Sequence, residues 1–262
     1  MAFSNKPFRG KREPAARVRL SCDLSDHVVY AVGDVHGCLD ELLALESEII
    51  ADAAKLPGRK TIVMLGDYID RGPASSGVLD HLLAPPPEGF DRICLCGNHE
   101  VAMLDFAEGR IERRQWVAIG GAQTLLSYGI DETKADYGGP KAGDELLRSR
   151  IPAAHLAFLR EMPVLLQTPN YLFVHAGIRP GVPIDKQTDR EMTTLRSKFA
   201  DTAHLLEQFV VHGHTPVTNP SLDGRHLNID TGAYFSGRLT GVRIWRNTGK
   251  FLTGVSPQAR RP

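Results

Sequence analysis

Short apolar runs alternate with helical patterns along the first hundred residues of the chain. Runs rich in β-branched residues predict strands at 27–33, 61–65 and 92–96. Between them, apolar residues recur at steps of three and four over 39–53, which predicts a helix, and we expect the next helix at 75–83. Strands that alternate with helices at this spacing indicate an α/β fold.

The pattern changes beyond residue 100. It becomes helical as far as residue 161, with candidate buried positions at Trp116, Leu125, Leu126, Leu146, Leu147, Leu156 and Leu159. Strands return at 164–167, 171–174, 209–211, 227–229, 239–245 and 251–255. We therefore expect a single domain over 1–262, with a helical insertion at 100–161 and a basic tail at 1–26.

Composition narrows the choice of partners. The chain has 31 Lys and Arg residues against 31 Asp and Glu residues, so its bulk charge favours neither a nucleic acid nor an anionic membrane. No apolar run approaches the ~18 residues that span a bilayer. The first residues lack the apolar segment of an export signal. We expect no nucleic-acid partner, no membrane association and a cytoplasmic location, and the oligomeric state stays open.

Two smaller groups of residues have simple interpretations. A solvated tail accounts for the basic residues near the amino terminus, namely Lys6, Arg9, Lys11, Arg12, Arg17 and Arg19. The four cysteines have neither disulfide-framework nor zinc-finger spacing, and we predict that Cys22, Cys38, Cys94 and Cys96 are reduced. Cys94 and Cys96 alternate within a predicted strand, so both are expected on the same packed side.

Five of the predicted strands end in polar side chains that commonly bind metals. These residues are Asp34 and His36, then Asp67, Asp70 and Arg71, then Asn98 and His99, then His175, and finally His212 and His214. A buried strand cannot hold such groups uncompensated, but the carboxyl edge of a sheet is where open α/β folds bind ligands. Five such edges that converge would form a cluster of oxygen and nitrogen donors, typical of a two-metal hydrolytic site.

Each motif alone also has a simpler explanation. The Asp67–Arg71 segment could be a turn with a surface ion pair, and Asn98 could cap a helix. A single histidine at a strand end is more often a hydrogen-bonding residue than a metal ligand. His212 and His214 are a stronger pair, because alternate residues of an extended segment point the same way. The joint occurrence of the motifs favours one site.

In their order, Asp-x-His, Gly-Asp-x-x-Asp-Arg-Gly, Gly-Asn-His-Glu, His-Ala-Gly and Gly-His-Thr resemble the phosphoprotein phosphatase branch of the calcineurin-like metallophosphoesterases. The match spans residues 33–232. The short chain and the segments 212–216 and 228–232 are similar to bacterial and bacteriophage-lambda-type enzymes. The resemblance implies a central mixed β-sandwich flanked by α-helices, with a dimetal site at the carboxyl ends of the strands.

The resemblance also implies a ligand set and a mechanism. One ion would be held by Asp34, His36 and Asp67, and the other by Asp67, Asn98, His175 and His214. The mixed donors suit Mn²⁺ best, with Fe or Zn²⁺ as alternatives. A hydroxide between the ions would attack phosphorus, and His99, oriented by Asp70, would protonate the departing oxygen.

Substrate contacts follow from the same resemblance. Arg71 would bind the phosphoryl oxygens together with Asn98 and a second arginine. Arg196 matches that second arginine best, but bacterial relatives commonly have a tryptophan just before it and this chain has Leu195, so Arg190 is the alternative. Asp230 could support the site from outside the ligand set.

Three functions remain open at this stage. The leading interpretation is a phosphatase of phosphoserine and phosphothreonine in proteins. The alternative is a nucleotide pyrophosphohydrolase similar to diadenosine tetraphosphatases, which shares the metal motifs. An inactive scaffold that recognises phosphate is disfavoured, because every implied ligand and the acid are present. The expected partner is a phosphorylated protein or a small phosphoester.

Overall fold

Two β-sheets packed face to face form the centre of the molecule, described here from a computed structural model for residues 16–134, 140–196 and 204–256. The strands are β1 (Arg19–Ser21), β2 (His27–Val32), β3 (Arg59–Met64), β4 (Phe90–Cys94), β5 (Leu165–Gln167), β6 (Tyr171–Val174), β7 (Phe209–His212), β8 (Ser221–Asp223), β9 (His226–Asn228), β10 (Arg238–Trp245) and β11 (Thr248–Val255). One sheet has the order β11-β10-β2-β3-β4 and the other β1-β5-β6-β7-β9-β8. Each contains both parallel and antiparallel pairs.

Parallel pairing aligns the strand ends that carry the polar motifs. In the first sheet, Val32 of β2 lies opposite Met64 of β3, and Met64 lies opposite Cys94 of β4. In the second sheet, Phe173 of β6 lies opposite Val211 of β7. The carboxyl ends of these strands therefore reach the same edge of the sandwich, and the residues that follow them can meet there.

Helices cover the outer faces of the sandwich. They are α1 (Leu39–Ala53), α2 (Ser75–Leu83), α3 (Asn98–Ala107), α4 (Arg113–Val117), α5 (Gly121–Ser127), α6 (Pro140–Arg150), α7 (Ala153–Glu161), α8 (Asp189–Thr194) and α9 (Ala233–Ser236). The predicted helices at 39–53 and 75–83 are confirmed, and the described part of 100–161 is helical. The short elements β1, β8, α8 and α9 were not predicted. Across the three described ranges, every helix is too short or too polar to cross a bilayer.

Strand β2 shows why the strands have unbroken apolar runs. Val29 and Ala31 point into the layer between the sheets, whereas Val28, Tyr30 and Val32 point towards the helices outside. Both faces of the strand are covered, so its apolar residues need not alternate with polar ones. Cys94 and Cys96 pack against one apolar cluster, which confirms their predicted common side, and all four cysteines are free thiols.

The last part of the predicted basic tail is structured, so that prediction is wrong for Arg17 and Arg19. β1 pairs in parallel with β5. The Arg17 guanidinium donates to the carbonyl oxygens of Leu159 and Met162 at 2.9 and 3.0 Å. Arg19 Nη1 donates to the Ile184 carbonyl oxygen at 2.7 Å. These hydrogen bonds to carbonyl oxygens hold both partly buried arginines against the fold. Lys6, Arg9, Lys11 and Arg12 lie outside the described residues.

Candidate metal centre

Sharp turns follow the strands at the shared edge. Five non-glycine residues there have a positive φ, namely His36 (45°), Asp67 (52°), Asp70 (70°), Arg71 (68°) and His214 (69°). Residues with a Cβ rarely adopt this conformation, which costs of order 1 kcal/mol or more at each position. These conformations turn the chain abruptly at the edge, and the side chains converge there.

Two groups of side chains form a compact donor cluster. The ligand atoms of His36, Asp67 and His99 lie within 4.8 Å of one another, and so do those of Asp67, His175 and His214. Asp67 belongs to both groups. Its Oδ2 lies 3.6 Å from His36 Nε2 and 3.3 Å from His175 Nε2. One buried carboxylate therefore joins the two halves of the cluster.

Asn98 contacts a histidine of the second group through its side chain, whereas Asp34 contacts that group through the backbone of His214. Asn98 Oδ1 is 3.2 Å from His175 Nε2. Asp34 belongs to neither group, and its two oxygens accept the backbone N–H of His214 at 3.2 and 3.1 Å. A Cβ at Gly213 would collide with Asp34 Oδ1, so this position needs glycine. The structure thus places all six predicted metal ligands at one edge.

Backbone carbonyls set the tautomers of two histidines. His36 Nδ1 lies 2.8 Å from the carbonyl oxygen of Ile69, and His175 Nδ1 lies 3.0 Å from that of Leu65. Because a carbonyl can only accept, each Nδ1 carries the proton. In the neutral ring Nε2 then keeps its lone pair, which is the usual arrangement at metal sites.

The electrostatics of the cluster suit a cation. Burial lowers the pKa of His36 and that of His214 to about 3, so both rings are neutral and able to bind a metal. Burial also lowers the pKa of His175, but Asp67 and Asp34 outweigh it and raise that pKa to about 10. Burial and Asp230 raise the pKa of Asp34 well above its usual value. Without a cation, the buried carboxylates therefore favour a proton on the groups around them, such as Asp34 and His175, at the place where a metal ion could bind. The mixed donor set fits a divalent transition metal.

A second network holds His99. Its Nδ1 lies 2.6 Å from Asp70 Oδ2. Asp70 also accepts the indole N–H of Trp116 at 3.1 and 3.0 Å and the hydroxyl of Thr124 at 2.6 Å. Burial alone would lower the pKa of His99, but Asp67 and Asp70 outweigh it and raise that pKa. His99 is therefore a buried, oriented imidazole that favours the protonated form.

Glu100 supports the turn from below, and sequence reasoning assigned it no function. Its carboxylate accepts the backbone N–H groups of Asp67, Tyr68 and Gly97 at 2.8, 2.8 and 2.9 Å. Burial raises the pKa of Glu100 to about 7. Its place in the Gly-Asn-His-Glu motif is the sequence feature that could have identified Glu100 as part of the site. No comparable motif marks Trp116 and Thr124, because both lie in the helical segment.

Two arginines lie on opposite sides of the cluster. Arg71 Nη1 is 3.0 Å from His36 Nε2, and its guanidinium lies 5.0 Å from the ring centroid of Tyr234. Arg196 Nε is 3.3 Å from His214 Nε2. The alternative, Arg190, lines a groove that begins at Asn98. Of the two candidates for the second arginine, Arg196 is thus the one that contacts a predicted metal ligand.

The structure also shows where His212 and Asp230, two other residues singled out from the sequence, lie. His212 and His214 were expected to point the same way, and this is wrong, because His214 leaves the extended conformation at φ 69°. The His212 ring packs against His226, with centroids 5.8 Å apart. Asp230 is buried, its Oδ1 accepts the Gly232 N–H at 2.8 Å, and burial raises its pKa to about 6.

Comparison with known proteins agrees with this geometry. The family model described as calcineurin-like phosphoesterase matches residues 27–238. The chain belongs to this family. It is therefore a hydrolase of the metal-dependent phosphoesterase type, whose members use a dimetal site.

The curated relatives include two named bis(5'-nucleosyl)-tetraphosphatase PrpE [asymmetrical]. The protein of Anoxybacillus flavithermus is 26% identical over 81% of this chain and 88% of its own length. That of Geobacillus thermodenitrificans is 28% identical with the same coverage. Neither name mentions phosphoproteins, so the protein phosphatase branch is not singled out.

Solved structures share the fold. The crystal structure of a candidate diadenosine tetraphosphatase has a TM-score of 0.61 at 21% identity, covering 90% of this chain and 97% of the other. A cold-active protein tyrosine phosphatase has a TM-score of 0.54 at 19% identity, covering 87% of this chain and 81% of the other. The expected sandwich of two mixed sheets flanked by helices is confirmed.

Proposed function

We propose that the protein hydrolyses a phosphoric anhydride bond of dinucleoside tetraphosphates asymmetrically, so that the products have one and three phosphates. The support is the pair of named relatives, which align over most of both chains. This reverses the ranking from sequence alone, where the phosphoprotein phosphatase came first. Similarity to protein phosphatases below 25% identity concerns the fold only.

The donor cluster and the family resemblance together suggest which residues would hold the metals. We assign Asp34, His36 and Asp67 to one ion as the resemblance implies, so that Asp34 takes the place of His99 in the first donor group and His99 is left to act as the acid. Asn98, His175 and His214 hold the other ion together with Asp67, the residue common to both groups. Mn²⁺ suits these carboxylate, amide and imidazole donors, and Fe or Zn²⁺ remain alternatives. Held by these residues, two ions would supply positive charge and would lower the pKa of a water molecule towards neutrality.

The remaining residues act on the substrate. Arg71 and Arg196 bind phosphoryl oxygens from the two sides of the cluster, and Asn98 contacts the same group from the rim. His99 donates its proton to the bridging oxygen as the P–O bond breaks, so that the leaving phosphate departs with that proton. The water oxygen forms the new bond to phosphorus as the water loses a proton to solvent, from which His99 regains its own, and no phosphoenzyme is made. Asp70 keeps the His99 ring in place.

One comparison of substrates tests the proposed function. The metal-loaded protein is assayed against diadenosine tetraphosphate and against a phosphoserine peptide, and the products are separated by chromatography. We expect a higher kcat/KM on the nucleotide, with adenosine mono- and triphosphate as products. A higher kcat/KM on the peptide would favour the phosphoprotein phosphatase. No turnover of either, or of p-nitrophenyl phosphate with Mn²⁺, would indicate the inactive scaffold.

A further inference from the structure

A groove of about 800 Å³ leads away from the metal centre. It begins at Asn98 and follows one face of α3 through Val101, Ala102 and Asp105, which succeed one another at the spacing of a helix face. α8 and the segment 16–19 form the opposite side. The volume lies within the usual range for small-molecule sites.

The lining combines apolar surface with positive charge. Val101, Ala102 and Ile111 provide partly buried apolar contacts. The charged lining residues are the arginines Arg17, Arg19, Arg110 and Arg190 and the aspartates Asp105 and Asp189. The groove therefore has an excess of positive charge, which favours an anion.

Both aspartates in the groove are already neutralised. Arg110 Nε lies 2.5 Å from Asp105 Oδ1. Asp189 Oδ2 accepts the backbone N–H of Arg17 at 2.7 Å, and its Oδ1 lies 3.5 Å from Arg19 Nη2. Neither carboxylate is left to repel phosphate groups.

Arg190 differs from the other three arginines. It is exposed at the start of α8, and its guanidinium forms no hydrogen bond or ion pair within the part of the chain that the structure describes. Its carbonyl oxygen accepts the Thr194 hydroxyl at 2.7 Å, which anchors the backbone but leaves the guanidinium available. A free planar guanidinium in a groove that begins at Asn98 suits phosphate oxygens.

We propose that this groove binds the nucleotide half that lies beyond the cleaved bond of a dinucleoside tetraphosphate. Arg190 contacts the phosphates of that half, and Val101 and Ile111 contact its base. The occupant follows from three features: continuity with Asn98, the excess of positive charge, and a volume suited to one nucleotide. The inference rests on the proposed function and adds a specificity site to it.

Two substrates of different length test the groove. Diadenosine tetraphosphate has the second nucleotide, whereas p-nitrophenyl phosphate ends at the leaving group. We expect Arg190→Ala to lower the ratio of kcat/KM on diadenosine tetraphosphate to that on p-nitrophenyl phosphate about tenfold, the scale of one charge-assisted hydrogen bond. Arg190→Lys should restore part of the ratio.

Matched variants complete the experiment. Arg59, at the opposite end of β3 from Asp67, is 73% exposed, and Arg59→Ala should leave the ratio unchanged. Ala102→Phe fills the groove and should lower the ratio even with every charge kept. If wild type hydrolyses the dinucleotide efficiently and both groove variants keep its ratio, the groove proposal is overturned while the proposed function stands. If wild type prefers the phosphopeptide, the proposed function itself fails.

Discussion

Trp116 donates its indole N–H to both carboxylate oxygens of Asp70, at 3.1 and 3.0 Å. The hydroxyl of Thr124 donates to the same carboxylate at 2.6 Å. Asp70 in turn lies 2.6 Å from Nδ1 of His99. A segment between the third and fourth metal motifs of the chain therefore positions the proposed acid from behind, and four buried side chains act as one network.

This network predicts that a substitution at Thr124 makes kcat depend more strongly on the basicity of the leaving group, which we call leaving-group sensitivity. Thr124→Val removes the hydroxyl at nearly constant volume, so Asp70 and His99 lose part of their orientation. We expect kcat to fall about tenfold, within the contribution of general acid catalysis. The loss should be larger for alkyl phosphates than for aryl phosphates, because a more basic leaving group needs its proton more. The measurement is kcat across a series of phosphate esters.

A matched threonine separates this effect from general destabilisation. Thr61 is also buried, and its hydroxyl lies 2.7 Å from His27 Nδ1, in the half of β3 that is farther from the site. Thr61→Val should lower the unfolding temperature but leave leaving-group sensitivity unchanged. Thr124→Ser, which retains the hydroxyl, should stay close to wild type. Equal sensitivity in Thr124→Val and wild type would contradict the positioning role.

His99→Asn tests the proposed acid directly. We expect bound metal to be retained, because the ligand set assigned above uses Asp34 in place of His99, whose Nδ1 contacts Asp70. The rate should fall ~10²–10⁴-fold on alkyl phosphates, and less on an anhydride, whose leaving phosphate is a weaker base. Elemental analysis gives the metal content and steady-state assays give the rates. An unchanged rate on every substrate would remove His99 from the mechanism.

Asp67→Asn tests the shared ligand. Because Asp67 belongs to both donor groups, its loss should lower the occupancy of both ions, whereas His214→Ala should mainly affect one. Metal content after dialysis against a defined Mn²⁺ concentration measures the difference. Full occupancy of both ions in Asp67→Asn would disprove the shared role.

The Asp52 ion pairs predict a pH-dependent stability. Asp52 on α1 accepts the Tyr30 hydroxyl at 3.0 Å, and it pairs with Arg243 at 3.0 Å and Lys250 at 2.6 Å. Burial opposes ionisation, but these partners outweigh it and hold the pKa of Asp52 below its usual value. A lowered carboxyl pKa contributes stability above the unfolded-state pKa of about 3.9, and that contribution disappears as the pH falls through the folded-state pKa.

Urea denaturation of Asp52→Asn tests whether the stability contributed by Asp52 is lost as the pH falls. At pH 7 the variant should lose about 1–3 kcal/mol of unfolding free energy relative to wild type. The difference should shrink as the pH falls below about 4. Asp91, which is 56% exposed beside Arg59, provides the control, since Asp91→Asn should change little at either pH. An Asp52→Asn difference that is constant over this range would rule out the linkage.

The sequence alone predicted most of the longer elements and the edge at which they end, and its resemblance to a known family implied the six ligand candidates from Asp34 to His214. Each of these depends on local patterns, because apolar runs mark strands and a polar residue at a strand end marks the edge. The tertiary structure decided what distant segments contribute. Trp116 and Thr124 reach Asp70 through packing of the helical segment, and Arg17 finds its carbonyl partners across the fold. His214 turns away from His212 through one backbone angle. Contacts over such sequence separations arise only when the chain is folded, so no local pattern could have predicted them.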